Sequence, residues 1–107
     1  MPISEARVAT PHASRYLQQL CKHWSHKFTV DFTAERGMID FGDGRACALS
    51  AGDDALTLRA TVPDGGDAAR FEGVIADHVA RFAFREELTF AWRRLGDDGG
   101  SPSGGPA

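Results

Sequence analysis

Apolar residues recur along the chain with two periods, one near 3.6 and one of two, and the changes between them mark the elements. The clearest change lies in TPHASRYLQQLCKHWSHKFTVDF, residues 10–32. Thr10 is a good N-cap and Pro11 suits a first helical position, so a helix is expected to open at Pro11. At about 100° per residue, Ala13, Tyr16, Leu17, Leu20 and Trp24 share one apolar stripe with Cys21 at its edge. Arg15, Gln19, Lys22, His23 and His26 fall on the far, wet side. The period then drops to two, and Phe28, Val30 and Phe32 face one way, as in a half-buried strand.

The same reading extends in both directions. Ala6, Val8 and Thr10 alternate with Arg7 and Ala9, which predicts a short edge strand closing at the proline. Residues 34–37 read as a turn, and residues 38–41 as a strand with Ile39 and Phe41 inward. Gly42-Asp43-Gly44 is a strong turn signal, and residues 46–51 follow with Cys47 and Leu49 on one face. After Asp53-Asp54, the residues Leu56, Leu58, Ala60 and Val62 form the most regular alternation in the chain. Asp67 is the expected N-cap of a second helix reaching Phe84, with Phe71, Val74, Ile75, His78, Val79 and Phe82 in its stripe. Leu88, Phe90 and Trp92 predict a last strand.

The order is therefore β-α-β-β-β-β-α-β. One apolar face per element is satisfied by a two-layer α+β fold, a largely antiparallel sheet with both helices on one side. Residues 1–95 are read as a single domain. From residue 96 the run GDDGGSPSGGPA has nothing to bury and is expected to be disordered.

Charge and composition narrow the function without naming it. A formal net charge of −3 excludes the general basic footprint of a nucleic-acid binder. No apolar run approaches the roughly 20 residues of a membrane span, and the N-terminus lacks the pattern of a signal peptide, so a cytoplasmic location is expected. Cys21 and Cys47 are too few for a disulfide framework and read as free, buried thiols.

SRYLQQLCKHWSHKF at residues 14–28, IDFGDGR at 39–45 and HVARFAFREELTFAW at 78–92 resemble, in order and spacing, a bacterial family catalogued as domain of unknown function 2218. The resemblance covers about residues 7–93. It implies no reaction. Some members of that family stand beside, or are fused to, flavin-dependent siderophore-interacting reductases, which implies an accessory role in bacterial iron acquisition, with a siderophore-related reductase as a partner. No glycine-rich flavin or nicotinamide fingerprint stands in this chain, so the resemblance carries no reductase activity onto it.

No complete catalytic signature is present, and the candidates are binding groups. His23 and His26, three apart on the wet face, can converge on one metal ion or anion; with a ferric chelate, whose iron is already coordinated, they would contact the chelate rather than the iron. With Arg15, Tyr16 and Lys22, and with Arg85 from the link before the last strand, they make a basic ligand site for an anionic small molecule. Both histidines are expected to be accessible and to line a cleft beside Arg15 or Tyr16, with His78 largely buried. Cationic side chains in a helix's last turn also answer its dipole, with no ligand needed. Asp40 and Asp43 read as turn residues, since the ligand run of a calcium loop is absent. Two other classes compete. One is a metal- or thiol-dependent enzyme using His23 and His26, or a cysteine with His78. The other is a homodimer formed through a sheet edge or the polar sheet face.

Overall fold

The structure, a computed structural model, describes residues 3–83 and 86–96. The elements run β1 (Ile3–Ala9), α1 (Ala13–Trp24), β2 (Thr29–Phe32), β3 (Arg36–Gly42), β4 (Arg45–Ala51), β5 (Ala55–Thr61), α2 (Ala68–Phe82) and β6 (Arg93–Gly96). They form an α+β fold. The strands make one antiparallel sheet in the order β2-β3-β4-β5-β1-β6.

Alternation in the strands fixes which face is covered. The registers Ala6↔Leu58↔Leu49 and Ser4↔Ala60↔Cys47↔Ile39 put buried side chains in rows beneath both helices. Leu17, Leu20 and Cys21 of α1, with Ile75 and Val79 of α2, complete a core whose members are shut off from water. Glu5, Asp31, Arg36, Met38, Ser50 and Arg59 belong to the opposite, helix-free face.

Four expectations shift. The helix begins two residues later than Pro11. Thr10 is pinned to the start of β5 through its N–H to the Asp54 carbonyl, 3.0 Å. Its hydroxyl accepts from the His12 N–H at 3.1 Å, which makes a turn before the helix rather than a helical cap. β1 is not an edge strand, because β6 pairs along its free side. Leu88, Phe90 and Trp92 lie in no strand. They still pack half-buried on the core, while the ladder itself runs through Arg93–Gly96. Arg36 and Gly37 belong to β3 rather than to the preceding turn. Phe84, where the second helix was expected to end, lies outside the described residues, as does the tail from residue 97; Gly96 closes β6.

Two polar knots tie the layers together, and both use acids that hydrophobic periodicity does not reveal. Glu72 lies on the buried side of α2, where the Ser4 hydroxyl of β1 donates to it and Arg94 Nε of β6 donates at 2.9 Å. Burying a carboxylate is tolerable only with such donors. Glu86 receives the Tyr16 phenol and the Thr10 hydroxyl, the latter at 2.9 Å. Burial, and then the Glu86 carboxylate, push the Tyr16 pKa up. The phenol's hydrogen bond in turn holds Glu86 below the usual carboxylate range.

Candidate functional site: an aromatic cleft between the helices and the β3–β4 hairpin

Helix α1 ends at Trp24, and the chain turns sharply there. The N–H groups of Lys27 and Phe28 both donate to the Trp24 carbonyl, at 3.0 and 2.9 Å. This brings Phe28 to the same cleft wall as Trp24. From the other side comes the β3–β4 hairpin, closed by Asp43-Gly44 with positive φ at both residues, 57° and 82°. That is the geometry a two-residue hairpin turn demands and the reason for glycine there. A bulge between Asp40 and Gly42 leaves Phe41 as the extra residue.

The rings meet in sequence. Phe41 lies edge-on to Trp24 at 4.9 Å between centroids and edge-on to Phe71 of α2 at 5.0 Å, with Phe28 at 4.7 Å. Beside them opens a cleft of about 470 Å³, lined by Trp24, Phe28, Phe41 and Phe71 with Val74, Arg45, Arg70 and Asp67. The Arg45 guanidinium lies 5.9 Å from the Phe71 ring centre, within cation–π range. Among the described residues, neither Arg45 nor Arg70 has a carboxylate within ion-pairing distance. Asp67 accepts the Arg70 backbone N–H at 3.0 Å as the N-cap of α2.

A larger depression, about 680 Å³, lies on the helix-free face between Glu5, Asp31, Arg36, Met38 and Arg59. It is the more open of the two, and its central charges already satisfy each other, with Arg59 2.8 Å from Glu5. Size favours that trough. Enclosure by aromatic rings from α1, β3, α2 and the link between α1 and β2, with uncompensated guanidinium groups at the rim, favours the cleft as a ligand site.

The basic residues named from sequence are distributed differently. Arg15, Lys22, His23 and His26 are exposed, and none of them lines the cleft. Tyr16 is 4% exposed, with its hydroxyl committed to Glu86. Arg85 lies outside the described residues. His23 meets the rings of His78, Phe82 and Trp24, at 5.4, 5.9 and 6.2 Å between centroids, and His26 makes no ring contact among the described residues. His78 is half-buried rather than largely buried, because α2 turns it across the Trp24 ring, 4.7 Å away, at the margin of the helix pair. Among the described residues no group of three or more histidine, cysteine or acidic side chains is arranged to hold a metal ion.

Sequence reasoning missed Arg45 and Arg70. Arg45 carried a usable signal: by strand parity it shares the inward face of Cys47 and Leu49, where a charge needs a reason. Arg70 carried none, since a basic residue in a helix's first exposed turn is ordinary.

Neither thiol supplies an activated nucleophile. Burial pushes the Cys21 pKa up to about 11, and burial together with the nearby Cys21 pushes Cys47 up as well. At a pKa of about 11 only about one thiol in 10⁴ is ionised at neutral pH, against a few per cent for free cysteine. Native protein is therefore expected to react with iodoacetamide at least about 100-fold more slowly than free cysteine, with both thiols titrating normally in denaturant. Fast alkylation of either thiol in the folded state would contradict this burial. His78 hydrogen-bonds Val74 and neither cysteine.

Among solved structures the chain is similar to the NMR structure of PA4090 from Pseudomonas aeruginosa. Sequence identity is 45%, the TM-score is 0.73, and the match covers 87% of this chain and 96% of that one. No curated protein matches the sequence. No helix among the described residues is long and apolar enough to cross a membrane. The family model described as "uncharacterized protein conserved in bacteria", domain of unknown function 2218, matches residues 5–93, and the chain belongs to that family.

Proposed function

We propose that this is a binding or accessory domain whose aromatic cleft receives a planar, anionic small molecule of the aryl-carboxylate or catecholate class. One observation carries the reading: four aromatic rings wall the cleft, and two arginines at its rim have no ion-pair partner among the described residues. Rings offer stacking surface for a flat ligand, worth about 0.5–1.5 kcal/mol per aromatic pair beyond area burial. Guanidinium forks match a carboxylate bidentately. Asp67 at the same rim repels an anion placed against it, which directs the charged end toward Arg45. The exposed cations Lys22, in the last turn of α1, and Lys27, just beyond it, supply a local positive field that steers anions toward this end of an otherwise acidic chain. Aryl carboxylates and catecholates are also the donor groups of many ferric chelates, in keeping with the iron-acquisition setting that the family resemblance implies.

The test is a titration with 2,3-dihydroxybenzoate and benzoate, with inorganic phosphate as the non-aromatic comparison, followed by amide NMR shifts. Shifts are expected around Trp24, Phe41, Phe71 and Arg70 for the aryl acids and not for phosphate. Arg45→Ala combined with Arg70→Ala is expected to weaken binding by about tenfold or more, the scale of lost charge-assisted hydrogen bonds at an exposed rim. Equal binding by that double variant would overturn the assignment. So would shifts confined to Arg15 and His26.

A further inference from the structure

We infer that His23 and His78 form a two-histidine site for a divalent transition-metal ion, bridging α1 and α2 where the two rings meet. The inference does not depend on the cleft's taking an anion. It starts from the ring positions: the two imidazoles lie 5.4 Å apart between centroids and are inclined at 45°. With a metal–nitrogen distance of about 2.1 Å and about 1.2 Å from nitrogen to ring centre, two imidazoles at a tetrahedral angle on one ion stand about 5.4 Å apart. The observed separation therefore needs little backbone movement to become a chelate.

The hydrogen bonding of His78 is the second observation. Its Nδ1 lies 2.7 Å from the Val74 carbonyl. A carbonyl only accepts, so Nδ1 carries the proton and the neutral ring presents its lone pair at Nε2. A backbone carbonyl on the far nitrogen is the usual way a metal-ligating histidine is oriented. Ring contacts restrain both imidazoles: His78 lies 4.7 Å from Trp24, and His23 lies 5.9 Å from Phe82. His23 has no hydrogen bond to another described side chain and is exposed, so the site is open to an ion from solvent. Imidazole pairs suit Zn²⁺, Ni²⁺ and Cu²⁺, and the remaining positions would be filled by water or by an exogenous donor.

Titration of the chelator-treated full chain with Zn²⁺ at neutral pH, read by histidine ring NMR, tests this directly. One ion per chain is expected, with the His23 and His78 signals moving together. Removing a ligand costs more than the 10–100-fold typical of a supporting contact. His23→Ala and His78→Ala are therefore each expected to weaken binding by at least about tenfold, while His12→Ala and His26→Ala leave it unchanged. Because the ion joins two helices only in the folded state, Zn²⁺ is also expected to raise the melting temperature of the wild type and of His26→Ala, but not of His23→Ala. His23 is exposed, so its alanine variant should fold. Binding that survives in the His23→Ala/His78→Ala double variant, or signals of the two rings that stay fixed under excess Zn²⁺, would overturn the site.

Discussion

Trp24→Ala is expected to destabilise the protein by about 3–5 kcal/mol, the range for deleting a large aromatic side chain from a packed core. Trp24 is 5% exposed and joins its own helix to two other elements. Its ring lies 4.9 Å from Phe41 on the hairpin, 4.7 Å from His78 on α2 and 6.2 Å from His23 on its own helix. Removing it opens a void that the neighbouring rings cannot close, because Phe41 is held by the β3 bulge and by Phe71. Domains of this size have about 5–15 kcal/mol of total stability, so the loss is a large share. Trp24→Phe should retain most of the packing and cost less than half as much. Urea denaturation monitored by far-UV circular dichroism gives both values. A cost below about 1 kcal/mol for the alanine variant would mean that Trp24 is not packed as described.

The same residue shows how far the sequence could be read. Trp24 falls on the apolar stripe of α1 by periodicity, and that stripe is buried residue for residue: Ala13, Tyr16, Leu17, Leu20, Cys21 and Trp24. The inward sets of β4 and β5 are equally legible, because period two leaves no choice of face once one face is covered. What periodicity cannot supply is the distance between elements. It placed His23 and His26 together because they are three apart, whereas the helix ends at Trp24 and the neighbour of His23 comes from α2, 55 positions further along the chain. It read His78 as core because the residue lies in an apolar stripe, but the stripe is wider than the surface α2 buries. Val74, in the same stripe, is 39% exposed at the cleft for the same reason. Glu72 and Glu86 were invisible because each depends on partners about 70 positions away in the chain.

The cleft has a physical origin in these mismatches. α1 lies over β2 to β5, whereas α2 rests on β5 and β1, so the two helices share only β5 and a wedge is left between them beside the β3–β4 hairpin. The wedge between them is filled by aromatic rings rather than by aliphatic side chains. Large flat rings bridge such a gap with few atoms and leave a slot beside them. Arg45 and Arg70 stand where that slot meets water.

Gly37→Ala is expected to destabilise the protein by about 1–3 kcal/mol, although the exchange looks harmless from sequence. Gly37 has no left-handed backbone to protect, so alanine can adopt its conformation. In the unfolded chain the exchange would even stabilise by about 0.4–1 kcal/mol, through lost backbone freedom. Space decides the sign. On the inward face of β3, opposite Leu49 and Phe32, an added Cβ would stand 2.7 Å from Cys21 Sγ and 3.4 Å from a Leu17 methyl group. Both neighbours sit on α1 and are fully buried, so neither can swing into solvent; the helix itself must lift off the sheet. This glycine sets how closely α1 lies on β3, and its lack of a side chain matters more than its flexibility. A double-mutant cycle separates this clash from a general strand effect. Cys21→Ala removes the sulfur that the new methyl group strikes, so Gly37→Ala should cost markedly less in the Cys21→Ala background than in wild type, with a coupling of about 0.5–3 kcal/mol. Additive costs within about 0.5 kcal/mol in urea denaturation would show that Cys21 is not the obstacle and that the close approach of α1 to β3 does not govern this position.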